Sequence, residues 1–155
     1  MEGTMNQETQ HDLGVSLLVF LLSAKKEMVG MGAEFDLTGM QAMTLLLTDN
    51  DHPRSMNSFT KLYVCDASNV TGIIDGLEHK GLVSRQNHPK DRRVKVIHLE
   101  PAGIKLRKQL LTRLNKAWDN LFAPLSSEEK EAVISSMYRL GRNELSVNCS
   151  EGALS

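Results

Sequence analysis

Asp66-Ala67-Ser68-Asn69-Val70-Thr71-Gly72-Ile73-Ile74-Asp75-Gly76-Leu77-Glu78-His79-Lys80-Gly81-Leu82-Val83-Ser84-Arg85 is the stretch on which the fold turns. Val70, Ile73, Ile74 and Leu77 share one stripe at helical spacing, so the run predicts a helix over 67–80 with these residues buried. Asp66 takes the N-cap position, where a carboxylate accepts from the free N–H groups of the first turn. Gly81 sits at C′, where a left-handed residue ends a helix without steric strain, and Leu82 to Arg85 is a β-prone run. The face opposite the stripe carries Ser68, Gly72, Asp75, Gly76 and His79, with Asn69 and Thr71 on its flanks. It is small and polar toward its N-terminus, which suits a helix entering the major groove of duplex DNA. Hydroxyls and amides there can bond base edges or phosphates. Gly72 and Gly76 each weaken a helix by roughly 0.8–1.0 kcal/mol relative to Ala. Two of them on an exposed face imply that something approaches closely. An ordinary surface helix with no ligand is the competing reading.

Upstream, Asn57 to Val64 reads as a short helix with Phe59, Leu62 and Tyr63 for packing, joined to the first through Cys65-Asp66. Two short helices around a tight junction make a helix-turn-helix. Downstream, Val94 to Leu99 is a second strand whose alternation sets Val94, Val96 and His98 opposite Lys95, Ile97 and Leu99. Between the strands lies the hairpin tip Gln86 to Arg93. Lys90, Arg92 and Arg93, with Asp91 among them and Lys95 beside them, place positive charge on a projecting turn. Such a tip can reach a minor groove, whose negative potential draws Arg. Alone, the tip is also what any solvated basic turn looks like; directly behind a helix-turn-helix it is far more specific.

The flanks are helical. From His11 to about Gly32, Leu13, Leu17, Leu21, Ala24 and Met28 recur near every fourth position, with Leu18, Leu22 and Val29 alongside. So wide a stripe on a terminal helix implies burial against a second chain as well as its own. Thr38-Gly39-Met40-Gln41 has capping-box form and opens a helix to about Thr48. A loop follows over 49–53. Glu100-Pro101 starts a long helix marked by Leu106, Leu110, Leu114, Ala117 and Leu121; Pro124 breaks it, and Ser126-Ser127-Glu128-Glu129 caps a last helix bearing Val133, Ile134, Met137 and Leu140. Residues 1–10 read as a frayed lead-in, and the tail after Arg142 loses periodicity and reads as a mobile end. The expected fold is mainly α with a small β-hairpin wing, in one domain over 1–155. A winged helix-turn-helix part spans about 37–100, and a helical dimerisation part is built from about 11–33 and 101–145.

Composition is compatible with this. The 155 residues are 41% hydrophobic and 5% aromatic, enough for an aliphatic core. Net charge is −1, which alone argues against a nucleic-acid partner. Its distribution reverses the argument: Lys80 to Lys116 holds eleven Lys and Arg against Asp91 and Glu100, whereas the first 36 residues hold six acids against Lys25 and Lys26. A solvated helix face accounts for the cations from Lys105 to Lys116, not for the others. Cys65 and Cys149 match no disulfide or zinc spacing, which points to a reducing cytoplasm and no metal. The apolar run Leu13 to Leu22 is short for a membrane span and follows acids rather than the basic lead of a signal peptide. No cofactor motif is present. Cys65 with His79 or His88 forms no recognisable catalytic set, so an enzyme is not expected.

The residues of the helix and wing resemble the MarR family of regulators. Residues 66–85 are similar to that family's recognition helix and first wing strand, and Asp91-Arg92-Arg93, with Leu99 five residues on, matches its Asp-x-Arg-x5-Leu wing signature. Leu37-Thr38 and Pro101-Ala102-Gly103 extend the resemblance to the openings of the second and fifth helices, over roughly 13–140. The resemblance implies a homodimer that binds double-stranded DNA. Ser68, Asn69, Thr71 and Gly72 would face the major groove, Arg93 would enter the minor groove, and Asp91 would orient the wing. It also implies a small-molecule effector, often an aromatic acid in this family, and dimerisation through the first and last two helices. Three residues depart from the pattern: Glu100 replaces a usual Thr, Gly76 a common basic residue, and Val64 a frequent Gly. Two other functions stand beside this one, a winged helix used for protein contacts and a redox-sensing regulator working through Cys65. The charge at Lys90, Arg92 and Arg93 speaks against the first. Against the second, the peroxide-sensing branch carries its cysteine near the first helix, so Cys65 is read as a packing residue.

Overall fold

The computed structural model describes the backbone over residues 7–150 and side chains over 12–140. Its elements run α1 (Gln7–Glu34), α2 (Gly39–Leu47), α3 (Met56–Tyr63), α4 (Ala67–His79), β1 (Val83–Asn87), β2 (Lys95–Leu99), α5 (Pro101–Leu121) and α6 (Ser127–Ser150). Every expected helix and strand is present. Contacts divide the chain into two compact units, 1–44 and 45–155.

In the first unit α1 starts at Gln7, four residues before the apolar periodicity, and expectations for residues 1–6 lie outside the described residues. After it, Leu37 N–H donates to Gly32 O at 2.9 Å. The capping box forms reciprocally: Gln41 N–H donates to Thr38 Oγ1 at 3.1 Å and Thr38 N–H to Gln41 Oε1 at 3.0 Å. Met31, Leu37 and Ala42 are buried. Leu13, Val15, Leu17, Leu18, Val19, Leu21, Leu22 and Val29 are not: each is 50–58% exposed in the single chain.

The second unit is built around the helix-turn-helix. Ser55 caps α3, its Oγ accepting from Ser58 N–H at 3.1 Å. Val64 then turns the chain in the left-handed region (φ 49°), the position where the family pattern favours Gly. Such a conformation costs an L-residue roughly 1–2 kcal/mol. Asp66 occupies the N-cap of α4 as expected, but its side chain makes no capping bond. The far end of α4 is better secured. Gly81 adopts φ 66°, its N–H donates to Glu78 O at 2.8 Å, and Leu82 N–H donates to Leu77 O at 3.0 Å. These two bonds form a Schellman cap, with Leu77 and Leu82 both buried across it.

β1 and β2 pair antiparallel from Val83↔Leu99 to Asn87↔Lys95. The expected alternation along β2 is only partly realised, because Val96 is buried together with Ile97 and Leu99. Both edges of β2 are covered. Opposite β1, Ile97 N–H donates to Arg54 O at 2.9 Å, Ser55 bridges Val96, and Asn50 pairs with Leu99 in both directions (Nδ2 to O 3.1 Å, N–H to Oδ1 2.7 Å). The loop over 49–55 thus acts as a third strand edge. Phe59, Val70, Ile74, Leu77, Val96, Ile97, Leu99 and Leu110 form the core, each burial worth about 1.5–3 kcal/mol. Two arginines, Arg54 and Arg107, donate through Nε to Leu47 O (3.1 Å) and Leu46 O (3.3 Å), closing the last carbonyls of α2.

Glu100 sits at the N-cap of α5 without a side-chain bond; its backbone N–H instead donates to Leu82 O at 3.0 Å. Gly103 follows one turn later, and a Cβ there would lie 1.9 Å from that same carbonyl oxygen. Ser126 caps α6 with Glu129, and α6 continues to Ser150, well past the loss of apolar periodicity at Arg142. The expectation for 151–155 lies outside the described residues. Ile134, Met137, Tyr138 and Leu140 on α6 are exposed.

Candidate nucleic-acid interface

α4 turns its apolar stripe inward through Val70, Ile74 and Leu77, while Ile73, expected to be buried with them, is only half-buried; Ser68, Asn69, Thr71 and Gly72 lie in solvent on its first two turns. The buried stripe therefore fixes which side of the helix a ligand can meet. Thr71 donates its hydroxyl to Ala67 O at 2.8 Å, so outward it offers acceptor lone pairs and a methyl group rather than a donor. A Cβ built on Gly72 meets nothing within 4 Å. Its lack of a side chain is not forced by the fold.

The wing tip is closed by His88 N–H to Val94 O (2.9 Å) and Val94 N–H to Asp91 O (3.0 Å). Asp91 Oδ1 accepts from Arg93 N–H at 3.0 Å and lies 3.6 Å from Arg93 Nε. This Asx-type turn pins the backbone under Arg93 while its side chain stays 95% exposed. Lys90 N–H donates to His88 Nδ1 at 3.2 Å, and Lys95 Nζ donates to Asn87 Oδ1 at 2.6 Å across the hairpin. Lys90, Arg92, Arg93 and Lys95 are all exposed. Every residue singled out for a DNA contact thus lies in solvent, within the 45–155 unit, on either α4 or the wing.

Not all of the positive charge between Lys80 and Lys116 is available to a phosphate. Arg85, one of the eleven cations, is already engaged: Nη1 meets Glu78 Oε2 at 2.5 Å, Nη2 meets Asp75 Oδ1 at 2.6 Å and Thr71 O at 3.4 Å, and its backbone N–H donates to Glu78 Oε1 at 2.8 Å. Arg107 is likewise committed to a helix carbonyl. Sequence reading missed the Arg85 cluster, although a signal existed: Asp75 and Glu78 stand where a phosphate-facing helix would not hold bare acids. It missed the Asn50–Leu99 pair too, where no residue pattern foretells which backbone group an Asn will meet.

Cys65 is half-buried with a free thiol. Among the described residues no three His, Cys, Asp or Glu side chains gather as a metal site, and no helix is long and apolar enough to cross a membrane.

A helix-turn-helix with an exposed polar reading face, followed by a two-stranded wing tipped with arginine, defines the winged helix-turn-helix class of DNA-binding proteins. Within that class, residues 37–95 match the model of the MarR family. The chain is 27% identical over 133 residues to the uncharacterized HTH-type transcriptional regulator YfiV of Bacillus subtilis, covering 86% of this chain and 83% of that protein. The crystal structure of the transcriptional regulator BldR from Sulfolobus solfataricus superposes with a TM-score of 0.71 at 24% identity, over 87% of this chain and 99% of that one. A MarR-family regulator from Rhodococcus gives a TM-score of 0.74 at 20% identity, over 87% and 97%. The last two likenesses concern the fold. Regulators of this family bind DNA and typically act as dimers.

Proposed function

We propose that this chain is a cytoplasmic homodimer that binds a palindromic operator sequence-specifically and represses transcription until a small-molecule effector binds. The observation that carries the DNA reading is the pairing, in one compact unit, of a small polar helix face with an arginine-tipped wing. Ser68, Asn69, Thr71 and Gly72 read the major groove. Lys90, Arg92, Arg93 and Lys95 supply the wing's contact to phosphates and the minor groove, with Asp91 fixing Arg93. The exposed apolar residues of α1 and of α6 support dimerisation, since apolar patches of that extent usually mark an interface. The 11–33 and 101–145 segments form the dimerisation part, and 37–100 the DNA-binding part, of one functional domain. Two-fold symmetry sets the half-sites about 10–10.5 base pairs apart.

The test is a salt series on duplexes selected from a random pool by the purified protein. Arg93→Ala flattens the dependence of log affinity on log salt by roughly one unit on selected and random duplex alike. Asn69→Ala weakens selected duplex more than random duplex. An Arg93→Ala protein with unchanged affinity and slope would take the wing off the DNA, leaving a winged helix for protein contacts as the better account.

A further inference from the structure

The Arg85 cluster is unused by the contacts assigned so far. Arg85 lies on β1, at the root of the wing. The groups it holds, Thr71 O, Asp75 and Glu78, rise along α4 on successive turns. Its guanidinium engages two carboxylates and the Thr71 carbonyl, and its backbone N–H a fourth acceptor atom, Glu78 Oε1. Arg85 is three-quarters buried, whereas Asp75 keeps 57% of its side-chain surface on the reading side of α4. Two consequences follow. The angle between the reading helix and the wing is set by a planar fork, which a flexible point charge cannot imitate. Asp75, which alone would repel phosphates, is neutralised in place.

We infer that Arg85 is a positioning residue for DNA recognition: through Asp75 and Glu78 it locks the wing to the reading helix, so that both grooves are met in register. The inference rests on the proposed DNA reading and adds to it a residue that touches no DNA itself. A register lock acts on specificity. Non-specific binding comes from cations near phosphates and tolerates a loose wing; specific binding requires helix and wing to be right together.

The experiment compares wild type, Arg85→Lys and Asp75→Asn on a duplex selected by the wild type and on a random duplex of equal length, across a salt series, with thermal melts to confirm folding. Arg85→Lys keeps the charge and loses the fork. The expected result is a roughly tenfold fall in the ratio of selected to random affinity, with the salt slope kept. Asp75→Asn gives opposite signs for two explanations: removing a negative charge from a phosphate-facing helix tightens binding to every duplex if charge alone matters, whereas loosening the lock lowers the selectivity ratio. A fall in the ratio for both variants supports the lock. An unchanged ratio in either folded variant, or general tightening by Asp75→Asn at constant ratio, overturns it. If Arg85 touched phosphate directly, Arg85→Gln would flatten the slope by about one unit while Arg85→Lys kept the ratio, which also overturns it. A wild type that selects no duplex sinks the DNA reading itself, and the lock with it; a selective wild type with indifferent variants sinks the lock alone.

Discussion

Arg85 holds both carboxylate oxygens of Glu78, one through its own backbone N–H at 2.8 Å and the other through Nη1 at 2.5 Å. Removing the carboxylate therefore orphans a partly buried backbone donor as well as an ion pair. Leaving such a group unsatisfied costs roughly 1–3 kcal/mol. Glu78→Ala is expected to lower the urea midpoint accordingly. Glu78→Gln, which keeps one acceptor for the N–H, loses less. Equal losses in the two variants would show that the charge, not the backbone bond, matters.

Gly72 gives a test in which stability and binding move in opposite directions. It lies in regular helix with open space around its missing Cβ, so Gly72→Ala stabilises the fold by roughly 0.8–1.0 kcal/mol. If DNA approaches closely there, the same methyl group weakens binding to selected duplex. Melting curves and titrations on one preparation check both signs. A stabilised protein with unchanged affinity leaves Gly72 outside the contact.

Gly103 is demanded by the fold. A Cβ at this position would fall 1.9 Å from Leu82 O, the acceptor of Glu100 N–H, so α5 has to shift off the wing base. Gly103→Ala is expected to destabilise by roughly 3 kcal/mol, the upper end of the cost of overpacking, despite the better helix propensity of Ala. Denaturant unfolding measures it.

The cap of α6 carries a pH dependence. A backbone N–H bond of Glu128 and the Ser126 hydroxyl, which donates to Oε2 at 3.0 Å, hold this carboxyl below its ordinary value. The folded state thus favours the ionised form. The resulting stabilisation is present above the unfolded pKa and fades as pH falls through the lower folded one. NMR titration of Glu128 is expected to show a depressed midpoint, and Ser126→Ala is expected to raise it part of the way, since the backbone bond is the larger cause. A midpoint unmoved by Ser126→Ala would remove the hydroxyl from the account.

Local signals made most of the fold legible. The stripe Val70, Ile74, Leu77, the stop at Gly81, the capping boxes at Thr38 and Ser126, and the charged hairpin tip each act within a few residues, so neighbours in sequence sufficed to place them. The exposure of Ser68, Asn69, Thr71 and Arg93 followed from which face of α4 was apolar and which end of the hairpin projected. Where local signals were weak the reading failed: α6 outran its apolar periodicity, and Asp66 took its position without its bond.

What the sequence determined by itself was the set of elements, their order and the side on which a ligand could be met, because periodicity and capping are properties of short stretches. Tertiary structure decided where the long-range polar groups went. Val96 is buried although it alternates with Ile97, Ser55 bridges it at the second edge of β2, and Asn50 reaches Leu99 across 49 positions. Arg85, counted in sequence as charge available to phosphate, is spent on Asp75 and Glu78. A cation's partner depends on which carboxylates the packed chain brings within hydrogen-bond distance. That distance is set by how β1 folds back along α4, which no local pattern encodes.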